Sequence, residues 1–351
     1  MKARLIPAGD PAWAMFLDDV RHDFYHLPAW ASLEAARMGG EAVALHVIDR
    51  DRALLLPLVI RPISGSTVDV ASPYGYPGPL SRGTDDPAFV GEALTAALPE
   101  FRSRGIVSLF IRFHPLLNPL PPRHPGTLVL HGDTVAIDLT LTEDALWQQM
   151  RRNHRDDISR SLEQGHRCWY DDDWLHFEDF KRLYRATMRR VEASDEYFFD
   201  DAYFDGMRSA LGDRLRLCIV EIDQTVAAAI MFVETCGIVE YHLVGVDEGF
   251  LRHAPAKLAL HTTCVWAKRR GDSILHLGGG VGAASDSLLR FKTRFSPLRF
   301  SFCTLRTVID EVEYARLAHQ RDPTGDSLGR AGFFPAYRRG PSDSDTKGTL
   351  V

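Results

Sequence analysis

Two kinds of hydrophobic periodicity alternate along the chain and predict helices mixed with strands. An apparent helix from Pro28 to Met38 precedes residues 41–62, where two β-rich runs flank the turn-forming DRDR and predict a hairpin. Residues 86–105 carry apolar side chains at helical spacing and end at a glycine, and residues 106–117 contain a further predicted strand.

The pattern from about residue 134 onward repeats this mixture in a longer order. A strand is followed by two helices, three antiparallel strands, a long helix and another strand, at residues 134–140, 143–165, 176–191, 216–247, 255–271 and 273–279. Thr142 is the expected N-cap of the first of these helices, because its hydroxyl can accept a hydrogen bond from a free backbone N–H. The order of the elements predicts an α+β fold.

Length and composition are those of an ordinary soluble protein with room for two domains. The chain has 351 residues, of which 45% are hydrophobic and 25% are charged. The longest aliphatic run, residues 53–60, is far shorter than the roughly 20 residues that a membrane span needs. Because the start of the chain also lacks a signal-peptide pattern, we expect a cytoplasmic protein with no membrane span.

Charge, cysteines and motifs exclude several functional classes. The net charge of −6 argues against a protein that coats nucleic acid, although local basic patches are compatible with it. The five cysteines form no C-x-x-C pair, which argues against a disulfide framework or a zinc site. The chain lacks G-x-S-x-G, H-E-x-x-H and G-x-x-x-x-G-K-[ST], so hydrolase, zinc-protease and nucleotide-binding functions find no support.

A shaped loop is predicted at residues 72–80, SPYGYPGPL, because its prolines and glycines exclude a helix. Tyr74 and Tyr76 flank Gly75 and present flat apolar surface with a hydroxyl at the tip, which suits a peptide or amino-acid side chain. The alternative is a rigid corner whose tyrosines pack internally.

A basic run near residue 290 carries the strongest chemical signal. Residues 290–299, RFKTRFSPLR, hold no acid, and as a strand they would place Arg290, Lys292 and Arg294 on one face. A cationic face beside a reacting carbonyl would stabilise the oxyanion that forms when an amine attacks an ester or thioester. A solvated edge strand is the alternative, because lysine and arginine also prevent strand pairing.

Glycines and polar side chains on neighbouring strands add to this candidate site. Gly278, Gly279 and Gly280 follow a predicted strand and let the backbone approach a ligand closely. Tyr241 and His242 are consecutive in a strand and therefore point to opposite faces, so at most one of them faces the site.

The sequence does not identify the base that removes a proton from the attacking amine. His242 has a suitable pKa, although a histidine within the core is the commoner case. Glu221 and Glu240, on adjacent predicted strands, are the other candidates, and the substrate or water could also take the proton.

Six motifs in order resemble the FemAB-like branch of the GNAT acyltransferase superfamily over roughly residues 25–338. They are SPYGYPGPL, MRRNHRDDISRSLEQG, YHLVGVDEGFLRHAPAKLALHTTCVWAKRRG, HLGGG, LLRFKTRF and FFPAYR. The resemblance implies two GNAT-like lobes, each a mixed, mainly antiparallel sheet flanked by helices. The first lobe would hold residues 1–133, completed by about 300–338, the second would hold residues 134–299, and residues 339–351 would form a flexible tail.

The resemblance also implies transfer of an acyl group onto an amine, without a metal or bound cofactor. Lys292 and the backbone of Phe291 match the position at which a lysine supports the tetrahedral intermediate. Asn153 and Arg155 lie in an N-x-R-like helix start that in relatives both holds the cleft between the lobes and contacts an anionic acceptor, although Asp156 and Asp157 here dilute the positive charge. The remaining substrate-binding residues would be Tyr74, Gly75, Tyr76, Tyr241, His242, Gly278, Gly279 and Gly280.

The nature of the acyl donor depends on residues 251–260, LRHAPAKLAL. Acyl-CoA enzymes of this superfamily cradle pyrophosphate on a glycine-containing loop that opens a helix, whereas this loop has no glycine, and Pro255 removes an N–H donor. We therefore expect aminoacyl-tRNA as the donor, with a peptide or peptidoglycan precursor as the acceptor. The donor-binding residues would be Arg252, Lys257, Arg290 and Arg294, aided by the basic runs 151–155, 181–190 and 267–271.

Two other functions stay compatible with the sequence. One is an acyl-CoA-dependent N-acyltransferase that acts on an amino sugar or a small amine. The other is a non-catalytic binding module that has the fold without the donor site, which the missing loop glycines favour and the presence of Lys292 opposes.

Overall fold

The computed structural model describes residues 1–280, 286–322 and 333–339. All but the first residue of the predicted tail, residues 340–351, lie outside that range. Within the described part of the chain, no helix is both long enough and apolar enough to cross a membrane.

The chain divides into two compact units. One unit contains Met1–Gly132 and the segment from Ser301 onward, and the other contains Asp133–Val281 and Ser285–Phe300. We retain 1–133 and 134–299 as the proposed limits of two lobes.

The first unit is a mixed sheet with helices. Its strands are β1 (Lys2–Pro7), β2 (Glu41–Asp49), β3 (Arg52–Ser64), β4 (Thr67–Ala71), β5 (Leu80–Arg82) and β6 (Ile106–Arg112). Its helices are α1 (Pro11–Asp18), α2 (Pro28–Arg37), α3 (Ala88–Ala96), α4 (Leu98–Ser103) and α11 (Glu311–Arg321). The strand order is β1-β2-β3-β4-β6, followed by β13 (Arg299–Val308), while β5 pairs with β3.

The hairpin predicted from DRDR is confirmed in this unit. Strands β2 and β3 pair antiparallel, with Asp49 opposite Arg52. Arg50 adopts a positive φ of 60° in the two-residue turn, as such tight hairpin turns require. Leucines of β3 pack with Phe89 and Phe101 of the covering helices in a buried core.

The second unit carries the remaining elements. Its strands are the second half of β7 (Thr127–Asp138), β8 (Arg167–Tyr170), β9 (Leu215–Ile222), β10 (Thr225–Thr235), β11 (Ile238–Val246) and β12 (Ile274–Gly278). Its helices are α5 (Glu143–Gln149), α6 (Arg152–Glu163), α7 (Phe177–Arg190), α8 (Asp201–Leu211), α9 (Pro255–Arg270) and α10 (Ser287–Lys292). The strand order is β7-β12-β11-β10-β9-β8.

The sheet of the second unit confirms the predicted antiparallel meander. Strands β9, β10 and β11 pair antiparallel in sequence, whereas β11 and β12 pair parallel. Helix α9 is the crossover between these two parallel strands, and its Leu258 and Leu260 join the buried core beneath the sheet. The register places the first three residues of β11 opposite the first three of β12, with Glu240 opposite His276.

The basic helix predicted near residue 150 restarts after a break. The Thr142 hydroxyl accepts from the Ala145 N–H at 3.2 Å, which confirms it as the N-cap of α5. Between α5 and α6 the chain is extended at Met150, and the Arg155 guanidinium donates to the carbonyls of Gln148 and Met150 at 3.0 and 2.6 Å. Arg155 thus satisfies carbonyls at the end of α5 that have no partner within that helix.

The strand predicted at residues 290–294 is wrong, because this segment begins as helix α10. Asp286 caps the helix by accepting from the Leu289 N–H at 2.8 Å, which gives one of its free N–H groups a partner. The predicted single cationic face is also wrong. Arg290 and Arg294 are exposed, whereas the Lys292 side chain is buried.

Candidate active site

Lys292 is a buried amine whose partner is a backbone carbonyl. Its residue is only 6% exposed, and Nζ donates to the Gly279 carbonyl at 2.6 Å. The ammonium lies 6.0 Å from the centre of the Tyr241 ring, at the outer limit of a cation–π contact. Burial lowers the pKa of Lys292 to about 8, opposed by the nearby charges of Asp286 and Glu240. The amine is therefore mostly protonated at neutral pH.

The glycine run at the end of β12 supplies the carbonyl that Lys292 contacts. The pairing of β12 with β7 shifts register between His276 and Gly278. Gly278 has a φ of +70°, a left-handed conformation that glycine adopts without strain. This irregularity ends the strand directly before Gly279. The Gly279 carbonyl accepts from Lys292 Nζ, so the structure brings the glycine run and Lys292 into contact.

A buried carboxylate–imidazole pair lies on the two parallel strands. Glu240 of β11 is opposite His276 of β12, and its carboxylate oxygens lie 2.8 and 2.9 Å from His276 Nδ1. Both residues are almost fully buried. His276 was not among the sequence-based candidates. Its place at the start of HLGGG was the available signal, but the pairing depends on the register of β11 and β12.

Of the two consecutive candidates on β11, Tyr241 is the one beside Lys292. The Tyr241 ring also packs 5.6 Å from that of Phe232, and burial raises the pKa of its hydroxyl. The pairing of β11 with β10 shifts register here and skips His242, so the alternation predicted for these two residues is interrupted by a β-bulge.

The start of α6 holds the backbone of α10 in place. His154 Nε2 lies 3.2 Å from the Phe291 carbonyl, and the Arg151 N–H donates to the Arg294 carbonyl at 2.8 Å. Burial lowers the pKa of His154 to about 4, so its imidazole is neutral and donates to Phe291 through Nε2. Phe291, which the sequence assigned to catalysis, thus contributes its carbonyl to the fixing of α10.

The other two helix candidates lie at the first turn of α6. Asn153 is exposed. Arg155 binds the carbonyls at the end of α5, so its described contacts hold two helices together. Their substrate contacts stay a prediction.

The predicted donor loop precedes α9. Ala254 has a left-handed φ of 52°, and Pro255 is the first residue of the helix. Lys257 forms an ion pair with Asp157 of α6. Arg252 is exposed, and its Nε donates to His253 Nε2 at 3.0 Å. One of the two predicted donor contacts at this helix start is therefore already paired within the protein.

The tyrosine loop of the first unit is held rigidly. The Trp30 indole donates to the Tyr74 carbonyl at 3.0 Å, and the Tyr76 ring lies 5.7 Å from that of Tyr25 and 5.1 Å from that of Phe302. Gly75 has a φ of +99°, and a Cβ at this position would lie 2.0 Å from the Tyr25 ring. These contacts account for the loop's shape, and its role in binding stays a prediction.

Buried polar residues that the sequence did not reveal lie near this loop. His114 Nε2 is 3.0 Å from Asp23 Oδ2, and both residues are fully buried. His26 Nε2 lies 3.0 Å from the Gly78 carbonyl. Burial lowers the pKa of His26 to about 3, so this imidazole is neutral and donates to the loop.

A separate cavity of about 380 Å³ lies between α5 and the C-terminal half of α9. Trp147, His261 and Phe295 are among its walls. Its lining includes none of the predicted site residues.

Comparison with known proteins agrees with this architecture. Residues 148–293 match the family model of the acetyltransferase (GNAT) domain. The crystal structure of FemX is similar with a TM-score of 0.65 and 13% sequence identity, over 90% of this chain and 99% of that chain. The chain has a GNAT-type fold. The α+β class is thereby confirmed, and the match is consistent with the FemAB-like branch.

A second structural neighbour comes from Agrobacterium fabrum. It is the C-terminal domain of a protein classed provisionally as a lysylphosphatidylglycerol synthetase, with a TM-score of 0.52 and 12% identity over 85% of this chain and 92% of that one. No curated protein matches the chain in sequence.

On this GNAT-type scaffold, the described groups have the properties that acyl transfer needs. The buried Lys292 ammonium can stabilise an oxyanion, since a charge held away from water acts strongly. The His276 imidazole, whose Nδ1 lies 2.8 Å from the Glu240 carboxylate, is a group that can take up a proton. The fold and the family match support acyl transfer as the general reaction.

Proposed function

We propose that this protein transfers an amino acid from aminoacyl-tRNA to the amine of a peptide or peptidoglycan-precursor acceptor. The observation that carries the proposal is the buried Lys292 ammonium, held on the Gly279 carbonyl in a GNAT-type unit. The reaction as proposed uses no metal and no covalent enzyme intermediate.

In this reaction the acceptor nitrogen attacks the ester carbonyl of the donor. A C–N bond forms, the carbonyl oxygen becomes an oxyanion, and collapse of the tetrahedral intermediate releases the ribose hydroxyl of the tRNA. Lys292 Nζ exchanges its bond with Gly279 for a bond to the oxyanion. A preorganised donor of this kind contributes about 10² to 10³ in rate, as mutation of oxyanion-hole donors indicates.

The proton that the attacking amine loses goes to the Glu240–His276 pair in our proposal. A neutral imidazole is a base near physiological pH, and the carboxylate at 2.8 Å stabilises the imidazolium that results. His276 then returns the proton to the leaving ribose oxygen. The second unit thus supplies both groups that the reaction needs, a cation for the oxyanion and a base for the amine.

The donor assignment is supported by the start of α9. Pyrophosphate binding at a helix start uses free backbone N–H groups and nearby cations. Here Pro255 has no N–H, and Lys257 is bound to Asp157. The similarity of the fold to FemX agrees with the FemAB-like branch that the sequence motifs indicate.

The second candidate function is acyl-CoA-dependent N-acylation of an amino sugar or small amine. The match of residues 148–293 to the acetyltransferase family favours it. It would use the same Lys292 chemistry with a thioester as the electrophile. A non-catalytic module is the third candidate, and any Lys292-dependent turnover would exclude it.

Ligand binding tests the choice of donor. Purified protein is titrated with acetyl-CoA and, separately, with an aminoacylated RNA minihelix, and its thermal midpoint is recorded. A ligand at 100 times its Kd stabilises the native state by about 2.7 kcal/mol. The proposal predicts a rise in the midpoint with the minihelix and none with acetyl-CoA. The reverse result would assign the protein to acyl-CoA chemistry.

A further inference from the structure

We infer that four exposed arginines at the start of α6 and around α10 bind phosphates of the RNA acceptor end. This arginine surface consists of Arg151, Arg152, Arg290 and Arg294. The inference rests on the proposed function, because it names where the RNA part of the donor binds. The sequence predicted donor contacts at Arg290 and Arg294 and within the basic run 151–155, and the inference unites four of these arginines in one phosphate-binding surface.

Backbone contacts bring the two halves of the arginine surface together. The Arg151 N–H donates to the Arg294 carbonyl at 2.8 Å, and His154 in the next turn of α6 donates to Phe291 of α10. Segments that are far apart in the sequence therefore adjoin. The sequence alone showed two unrelated basic runs, whereas the fold makes them one surface.

The arginine surface has little opposing charge. All four residues are exposed, and among the residues that the structure describes no carboxylate lies within ion-pair distance of Arg151, Arg290 or Arg294. Arg152 is 3.6 Å from Asp156, but its side chain is 87% exposed, so that contact is weak. Several other exposed arginines of the unit form ion pairs with neighbouring acids, as at Arg160, Arg167 and Arg182, whereas the described residues place no acid within ion-pair distance of Arg189, Arg190 or Arg214. Unopposed guanidinium groups of this kind suit phosphate.

The position of the arginine surface relative to Lys292 favours RNA. Arg290 and Arg294 flank Lys292 in the sequence, on the same short segment, and their exposed side chains point away from the buried amine at which the donor carbonyl would sit. In an aminoacyl-tRNA, one ribose separates that carbonyl from the first phosphate. In an acyl-CoA, the whole pantetheine arm separates the thioester from the first phosphate. Exposed cations on the segment that carries Lys292 therefore suit the phosphates of the terminal nucleotides better than those of acyl-CoA.

Salt-dependent RNA binding tests the arginine surface. The binding of a fluorescent RNA minihelix with a single-stranded CCA end is measured by anisotropy between about 50 and about 200 mM salt. Three or four phosphate contacts predict that log K falls with log salt with a slope of about −3. The double variants Arg151→Glu/Arg152→Glu and Arg290→Glu/Arg294→Glu should each weaken binding at least about tenfold and flatten this slope by about 1 to 2.

A matched control separates the local surface from net charge. Arg102→Glu/Arg123→Glu makes the same change in charge at two exposed positions that belong neither to the arginine surface nor to the predicted basic runs. We expect this control to bind RNA within about twofold of the native protein, because it retains every guanidinium group of the arginine surface and changes only the net charge, whose long-range effect is screened by salt. Equal weakening in the control and in the arginine-surface variants would overturn the inference.

The remaining outcomes separate this inference from the proposed function. If native protein binds the minihelix and the arginine-surface variants bind it equally well, the inference is overturned and the proposed donor stands. If native protein fails to bind RNA but forms product from acetyl-CoA, the proposed donor and the inference are both overturned. Thermal midpoints equal to that of native protein show that the variants are folded.

Discussion

At the scale of single residues, burial is what gives Lys292 its chemistry. An exposed lysine would be fully protonated up to about pH 10 and strongly hydrated. Here the side chain is buried and the amine has a carbonyl partner, so it is a cation held ready for a second acceptor. The same burial makes the charge of Lys292 unfavourable for folding. The effect of the buried charge on activity and its effect on stability can be measured independently.

Replacement of Lys292 by methionine should abolish most activity while the protein stays folded. Loss of the oxyanion donor predicts a fall in kcat of about 10² to 10³ with little change in KM. The thermal midpoint at pH 7 should not fall by more than a few degrees, because the apolar side chain fits a buried site. Steady-state kinetics and calorimetry on the same preparations test this. Unchanged kcat would remove Lys292 from the mechanism.

Activity should decline as the pH rises through about 8. The buried amine has a pKa of about 8, and only its protonated form can donate to an oxyanion. A pH profile of kcat should therefore show a descending limb near this value in native protein. A rate that instead rises through pH 8 would mean that Lys292 acts as a neutral base.

The stability of the fold should have the opposite pH dependence. The pKa of Lys292 is lowered from 10.5 in the unfolded chain to about 8, so between these values the unfolded state binds more protons and stability rises with pH. Relative to Lys292→Met, native protein should gain about 3 kcal/mol from pH 8 to 10.5, as each pKa unit corresponds to about 1.36 kcal/mol. Urea titrations of both proteins across this range measure the difference, and a constant difference would contradict it.

At the scale of elements, much of the local structure could be predicted from the sequence. The DRDR hairpin, the Thr142 cap and the three-strand meander all follow from short-range rules, and all are present. Residues 290–294 were mispredicted because a five-residue alternation of basic and apolar side chains fits a strand as well as one turn of helix. The Asp286 cap decides for the helix.

The candidate site was less predictable than the elements that carry it. Lys292 and the glycine run were found from motifs. The Glu240–His276 pair was not, because its members meet only through the parallel register of β11 and β12. Arg155 and Phe291 were assigned to substrate and catalysis, yet their described contacts join helices. Pairing across distant segments depends on tertiary packing, which local patterns do not encode.

The tyrosine loop offers a test of backbone strain. Gly75→Ala places a methyl group against the Tyr25 ring at a φ of +99°, so we expect a loss of about 2 to 4 kcal/mol from overpacking and strain together. Gly65→Ala is the matched control, since Gly65 also has a positive φ, +56°, but has open space around it, and it should lose only about 1 kcal/mol. Denaturant unfolding of both variants compares them. Equal losses would show that the close approach of Tyr25 is unimportant.

At the scale of the whole molecule, fold and composition fit a GNAT-type transferase with a localised basic surface. The net charge of −6 makes general binding of RNA unfavourable, so the proposed RNA binding requires a small basic region such as the arginine surface. The fold shared with FemX was predictable from motifs, because several of them occur in order along most of the chain. The donor was not, because it depends on a few side chains at the start of α9.

A single-turnover transfer assay tests the central claim most directly. Native protein and Lys292→Met are mixed with an aminoacylated minihelix or with acetyl-CoA, each with a peptide amine acceptor, and the amide product is quantified by mass spectrometry. The account predicts product from the minihelix with native protein, at least about 100-fold less with the variant, and none from acetyl-CoA. Product from acetyl-CoA alone, or equal product from both proteins, would contradict it.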